Sequence, residues 1–114
     1  MKPLRAALPL VLLLAACGRA PAPPAPGEAL YRRELCTGCH GAGGEGTWMG
    51  PPLRGLAEHW EPESLAEFLL DPGAAVGRDP RLAKLMRAYP NPMVGTRSLG
   101  VEERRLLANW LLGL

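Results

Sequence analysis

The sequence predicts a small all-α domain with long loops, and three observations support this fold class. The chain has 114 residues, which is enough for one domain only. Its apolar residues recur at helical spacing in several segments, and no strand-like run surrounds the cysteine-containing motif at positions 36–40. It contains 14 glycines and 13 prolines but only one phenylalanine, two tyrosines and three tryptophans. Much of the chain must therefore be loop, and we expect a cofactor to complete the core.

The residues that carry chemistry are concentrated at positions 36–40, which read Cys-Thr-Gly-Cys-His. This C-x-x-C-H run is the attachment signature of c-type haem. Residues three apart share one face of a helical turn, so Cys36 and Cys39 can both form thioethers with the vinyl groups of one porphyrin. His40 can turn its ring under the same porphyrin and bind the iron. The motif predicts one covalent haem c with His40 as an axial ligand.

Two other interpretations of the cysteine pair have less support. A thioredoxin-like dithiol requires a βαβ context, which the surrounding sequence lacks. A zinc site could be assembled from Cys36, Cys39, His40 and His59, but adjacent Cys39 and His40 fit poorly with the ligand spacing of closed zinc sites. For His59 we expect a position in solvent rather than a role as second axial ligand.

The N-terminus has the features of an export signal. A short basic stretch, residues 1–5, precedes an apolar run at 6–16 that is too short to span a bilayer. The run ends in Leu-Ala-Ala-Cys at positions 14–17, which resembles a bacterial lipobox and predicts cleavage before Cys17 and lipidation of Cys17. The alternative is an ordinary signal peptide with an incidental Cys17, but a free thiol is hard to justify in an exported protein.

These features divide the chain into a lipoprotein signal peptide (1–16), an anchor cysteine with an Ala/Pro linker (17–26) and a folded domain (27–114). The prolines of the linker favour an extended, semi-rigid spacer. Cleavage would remove two of the 13 basic residues and leave 11 against 11 acidic residues. The domain would then be formally neutral, which gives no support for nucleic-acid binding. We expect an exported protein held by lipid on the periplasmic, extracytoplasmic face of a membrane.

Four segments have the periodicity of amphipathic helices. The first is expected to deliver Cys36 and end near Gly38, and Asp71-Pro72-Gly73 is expected to end the second. Gly100 is an acceptable N-cap for the last helix. The first segment is Gly27–Leu35, with an apolar stripe at Leu30, Tyr31 and Leu35, and the second is Glu61–Leu70, with Leu65, Phe68 and Leu69. The third is Arg81–Tyr89, with Leu82, Leu85, Met86 and Tyr89. The last is Val101–Leu112, with a stripe at Leu107, Trp110, Leu111 and Leu114.

A Gly-Pro turn follows the C-x-x-C-H motif, in which Gly50 and Pro51 precede Leu53 and Gly55. This combination resembles the class I cytochrome c family. The resemblance implies that the carbonyl of Pro51 accepts a hydrogen bond from Nδ1–H of His40. An axial histidine usually needs such an acceptor to fix its tautomer and ring plane.

The resemblance also implies the class I cytochrome c fold, in which the first and last helices cross. In that family a glycine and an aromatic residue on the first helix meet a leucine and an aromatic residue on the last. Gly27 and Tyr31 match the first pair, and Leu107 and Trp110 match the second, with the same spacings. The match extends over the whole domain.

Trp60 resembles the family's tryptophan that reaches a haem propionate. Trp48 could do this instead, or Trp60 could simply pack against the haem.

Thioether sulfur from methionine is the expected sixth ligand of an electron carrier.

Three methionines compete for that sixth position. Met49 lies on the histidine side of the Gly-Pro turn, and Met86 shares a helical face with core residues. Met93 lies in an irregular loop after two prolines and, like the methionine of mitochondrial-type relatives, stands 18 positions before a last-helix residue, here Leu111. We favour Met93, with Met86 as the alternative. Many bacterial relatives have Met-Pro, whereas here Val94 follows.

The resemblance implies a single-electron carrier rather than an enzyme, with unidentified redox proteins as donor and acceptor. Two alternatives stay open. The protein could be the cytochrome subunit of a larger dehydrogenase or oxidase complex, or it could be a haem enzyme or sensor whose iron keeps an open position.

Overall fold

The structure, a computed structural model, describes Met1, Gly18, Ala22, Pro23 and residues 25–114. Cys17 and nearly all of the expected signal peptide lie outside the described residues. The described part is all-α, with no strand beyond one isolated bridge between Thr47 and Gly50. Its elements are α1 (Pro26–Arg33), α2 (Thr37–His40), a 3₁₀ turn (Leu56–Glu58), α3 (Pro62–Leu70), α4 (Pro72–Val76), α5 (Pro80–Arg87) and α6 (Val101–Leu112).

The first and last helices cross at a glycine. A Cβ atom on Gly27 would collide with Cβ of Trp110 and would lie 2.7 Å from the carbonyl oxygen of Leu106. The missing side chain therefore lets α1 and α6 approach closely. Next to this contact, the rings of Tyr31 and Trp110 have centroids 5.1 Å apart and planes at 48°. Tyr31 and Leu107 are fully buried. The helix crossing expected from the sequence is confirmed.

The first helix ends at Arg33, two residues before the predicted Leu35 and well before Gly38, near which the helix was expected to stop. Leu35 has a φ of +61°, a left-handed conformation that stops an α-helix. The amide of Cys36 closes the turn by donating to the carbonyl of Tyr31 at 3.1 Å. Leu35, which the sequence placed on the apolar stripe of this helix, lies beyond the helix end and is 77% exposed.

The third helix begins with Pro62, one residue after the predicted start at Glu61, and buries Leu65, Phe68 and Leu69. Asp71 and Pro72 end it, but they also start α4, which the sequence analysis did not anticipate. The Asp71 carboxylate accepts a hydrogen bond from the amide of Ala74 at 3.2 Å, so it caps α4.

Helix α5 is capped in the same way by Asp79, which accepts hydrogen bonds from the amides of Arg81 at 2.8 Å and Leu82 at 3.4 Å. The final helix has the predicted bounds. The amide of Gly100 donates to the Glu103 carboxylate at 3.2 Å, which closes the first turn of α6.

The core lies between α1, α3 and α6, with single contributions from α5 and the segment before α6. Among the described residues, no helix is both long and apolar enough to cross a lipid bilayer. The buried apolar residues are Leu30, Tyr31, Leu65, Ala66, Phe68, Leu69, Leu82, Leu99, Leu107, Ala108 and Leu111. Such a small core leaves room for a cofactor to supply additional apolar contact.

Candidate haem site

A cavity of about 380 Å³ opens beside this core, a volume typical of cofactor sites. Its walls bring together residues from distant parts of the chain: the C-x-x-C-H motif, the Gly-Pro turn, α3, α5 and the loop after α5. Most lining side chains are apolar. The residues discussed below that line it are Glu34, Leu35, Cys36, Cys39, His40, Met49, Pro51, Trp60, Phe68, Leu69, Arg81, Leu82, Leu85, Met86, Tyr89, Met93, Val94, Gly95 and Thr96.

Residues 36–40, the attachment turn, form one helical turn that is held by local hydrogen bonds. The amide of His40 donates to the carbonyl of Cys36 at 2.9 Å. The hydroxyl of Thr47 donates to the carbonyl of Cys39 at 2.7 Å. The buried hydroxyl of Tyr31 donates to the carbonyl of Gly41 at 2.6 Å. These bonds fix the backbone from which both cysteines and the histidine project.

The imidazole of His40 is oriented by the Gly-Pro turn. His40 is only 8% exposed, and its Nδ1 lies 2.8 Å from the carbonyl oxygen of Pro51. A carbonyl only accepts hydrogen bonds, so Nδ1 carries the proton and Nε2 keeps its lone pair for a metal. Gly50 makes this approach possible, because a Cβ there would lie 2.8 Å from the carbonyl oxygen of Cys39.

Both cysteines of the attachment turn are free thiols that line the cavity, Cys36 half-buried and Cys39 exposed. Burial, together with the nearby Glu34 carboxylate, raises the pKa of Cys36 to about 11. This thiol is therefore neutral at pH 7 before attachment. Two cavity-facing thiols beside an imidazole with a free nitrogen, in a largely apolar pocket, fit the demands of covalent haem.

All three methionines of the domain line the cavity, and Met86 and Met93 are both half-buried. Among the tryptophans, Trp60 lines the cavity and its ring centroid lies 4.9 Å from that of Phe68. Trp48 is 75% exposed and does not line it. The structure thus brings Trp60, rather than Trp48, to the cofactor cavity.

A family model, Cytochrome c, matches residues 24–114. The chain belongs to the cytochrome c family. No match was found among curated proteins or among solved structures. The family carries covalently attached haem c and uses it for electron transfer. The all-α class I fold and the covalent haem c predicted from the sequence are therefore confirmed, with one haem expected for a single domain of this size.

Arg81 is a cavity-lining cation that was not expected from the sequence. The guanidinium carbon of Arg81 lies 5.6 Å from the centroid of the Trp60 ring, within the range of a cation–π contact. The Arg81 side chain also approaches the Asp79 carboxylate at 3.5 Å. A signal was present in the sequence, since Arg81 stands four residues before Leu85 and so shares its helical face.

The structure gives no support to the zinc alternative. In residues 25–114 and the few described positions before them, no three His, Cys, Asp or Glu side chains are grouped so that they could hold a metal ion. His59 is exposed and does not line the haem cavity. Its predicted position in solvent is what the structure shows.

Proposed function

We propose that this cytochrome is a lipid-anchored single-electron carrier whose one haem c is bound by His40 and Met93. The observation that carries the proposal is the composition of the cavity wall. It combines the two attachment thiols, a histidine whose Nε2 is free, and a methionine on a separate loop. An iron with imidazole and thioether ligands has no open coordination position, which suits electron transfer rather than substrate binding.

Met93 is the preferred sixth ligand because of its backbone. It lies in residues 88–99, a segment without helix or strand that we call the Met93 loop. An irregular loop can direct a side chain to a metal without disturbing helix packing. Met86 is instead part of α5, one turn after the buried Leu82, where its simplest role is to fill space beside the core.

The bound haem supplies a reversible one-electron iron couple. The chain's own residues keep that couple in place and make it accessible. Pro51 holds the His40 ring in a fixed plane, and the apolar wall near Phe68 and Leu69 excludes water. Cys39 is exposed, so the porphyrin edge bonded to it would border solvent. An electron would cross at this edge in small, transient contacts with donor and acceptor proteins.

The location of the protein rests on the sequence before the fold. Cys17 stands nine positions before Pro26, the first residue of α1. After cleavage, a lipid on Cys17 would hold the domain close to the outer face of a membrane through the short proline-containing linker. Membrane and redox proteins are therefore the proposed partners.

The ligand assignment is tested by the paired variants Met93→Ala and Met86→Ala, purified with haem attached. The first should abolish the weak long-wavelength absorption band of ferric iron bound to thioether sulfur and lower the reduction potential. The second should keep the band. The reverse pattern would assign Met86. If neither change removes the band, the thioether of Met49, which also lines the cavity, becomes the candidate ligand. If the ferric wild type lacks the band and the reduced wild type binds carbon monoxide rapidly, the carrier proposal fails in favour of an open iron site.

The anchor is tested by the mass of the protein isolated from membranes of a host that attaches haem. The expected mass is that of residues 17–114 plus one haem and the acyl groups. Cys17→Ser should release a coloured protein from the membrane without loss of haem. A coloured wild type that stays soluble, or that carries no acyl mass, would contradict the anchor but leave the electron-transfer assignment intact.

A further inference from the structure

The Met93 loop is attached to the end of α3 by one buried side chain. Thr96 is 6% exposed, and both its amide and its hydroxyl donate to the carbonyl oxygen of Leu69, at 2.7 Å and 2.8 Å. Leu69 is in the last turn of α3, where carbonyls lack partners within the helix. A residue three positions after Met93 therefore satisfies an α3 carbonyl.

The contact requires close approach of two backbones. A Cβ atom on Gly95 would collide with the carbonyl oxygen of Leu70 and would lie 3.4 Å from Cδ of Pro72. The absence of a side chain at Gly95 lets the loop lie directly against the end of α3. The Gly95–Thr96 pair is thus held against the end of α3 by close backbone packing at Gly95 and by the hydrogen bonds of Thr96.

A second contact holds the same loop to the other side of the fold. The hydroxyl of Ser98 donates to the carboxylate of Glu34 at 2.7 Å. Glu34 follows α1 and stands two residues before Cys36. The two attachment points lie three and five residues after Met93, so they restrict where its side chain can be placed.

We propose that Thr96, supported by Ser98, is the positioning residue that keeps Met93 on the iron and so excludes external ligands. This inference rests on the proposed ligation by Met93. It explains how a carrier is kept from behaving as an open-site haem protein. The loop is held by protein contacts that do not depend on the iron–sulfur bond. The methionine therefore competes for the iron as a pre-positioned ligand with little entropy left to lose.

The test is imidazole binding to the ferric, haem-attached protein, followed by absorbance. Thr96→Val removes one buried hydroxyl of nearly the same shape. It should strengthen apparent imidazole binding roughly threefold to tenfold, the range that corresponds to one hydrogen bond. Thr96→Ser keeps the hydroxyl and should bind imidazole like the wild type. Ser98→Ala should shift binding in the same direction as Thr96→Val, by a smaller factor.

A matched control is Ser64→Ala, which removes a hydroxyl-to-carbonyl hydrogen bond at the start of α3, away from the haem cavity. It should leave imidazole binding unchanged. Equal effects of Ser64→Ala and Thr96→Val would mean general loosening and would overturn the inference. If Thr96→Val does not fold, Ser98→Ala carries the test alone, because Ser98 is exposed and its replacement leaves the core intact. Imidazole binding by Ser98→Ala that equals wild-type binding would then overturn the inference.

The ligand assignment and the positioning role fail in different ways. If Met93→Ala keeps the thioether band, the ligand assignment is wrong and the positioning role falls with it. If Met93→Ala loses the band but Thr96→Val binds imidazole no better than Thr96→Ser, Met93 remains the ligand and only the positioning role of Thr96 is refuted.

Discussion

The attachment turn and the Met93 loop are positioned by opposite means. The attachment turn is held by contacts close in sequence: the ring of His40 bonds Pro51, 11 residues away, and Thr47 bonds Cys39, eight residues away. The Met93 loop is held by contacts with residues 27 and 64 positions distant, through Thr96 and Ser98. One half of the site can therefore form locally, while the other requires the fold to be complete.

This difference has an energetic consequence. Closing a long loop costs more chain entropy than closing a short one, and the Met93 loop has no regular structure to offset that cost. Local opening should therefore begin there and leave the attachment turn in place. The proposed electron carrier would gain from this arrangement, because the covalent side would keep the haem bound even when the Met93 loop opens.

The largest expected effect concerns the helix crossing that supports the attachment turn. Gly27→Ala places a Cβ where Trp110 already lies and should lower the free energy of unfolding by about 2–3 kcal/mol through overpacking. Denaturant unfolding of the haem-attached protein measures this. Gly38→Ala is the control, because a Cβ there meets no atom within 4 Å. Equal stability of the two variants would show that the crossing does not stabilise the site.

A smaller effect is expected from the hydroxyl of Tyr31, which links α1 to the backbone after His40. Tyr31→Phe leaves the Gly41 carbonyl without this donor and should cost about 1–2 kcal/mol of stability near neutral pH. The thioether band of ferric iron should stay, because the Met93 loop makes no use of this bond. Loss of the band in Tyr31→Phe would contradict the independence of the two halves.

The same residue predicts a dependence on alkaline pH. Burial raises the pKa of Tyr31 from 10.0 to about 12. The folded protein thus holds this proton more tightly than the unfolded chain, so the stabilisation is complete below pH 10 and is lost as the pH rises from 10 to 12. Tyr31→Phe should lose stability less steeply across this window.

The sequence predicted the parts of the fold that depend on local pattern. Helices α1, α3, α5 and α6 were located to within two residues at each end because their apolar periodicity and capping residues are local. The start of α4 was missed because Asp71-Pro72-Gly73 was interpreted only as a stop. An aspartate followed by proline is equally a start signal, since the carboxylate caps the helix and proline fits its first position.

The site divides in the same way. The spacing of Cys36, Cys39 and His40 predicted one half of the cavity wall without any knowledge of the fold. The sequence also pointed to Met93 on the other half, but the contacts that hold that half could not be predicted. Thr96 and Ser98 have no special spacing and gain their importance only from Leu69 and Glu34. The left-handed turn at Leu35 was missed for a related reason: a left-handed φ at a leucine leaves no signature in the sequence.

The smallest expected effect belongs to Arg81, the cavity-lining cation on α5. A positive charge stabilises the reduced, less positive haem, so Arg81→Gln should lower the reduction potential. Because the side chain is 41% exposed and pairs with Asp79, the shift should correspond to less than about 1 kcal/mol and shrink at high salt.

Arg87→Gln on the same helix is the matched control, since Arg87 does not line the cavity. Potentials measured at low and high salt should separate the two variants. Equal shifts would mean that Arg81 acts only through net charge, and that α5 contributes no directed electrostatic contact to the haem.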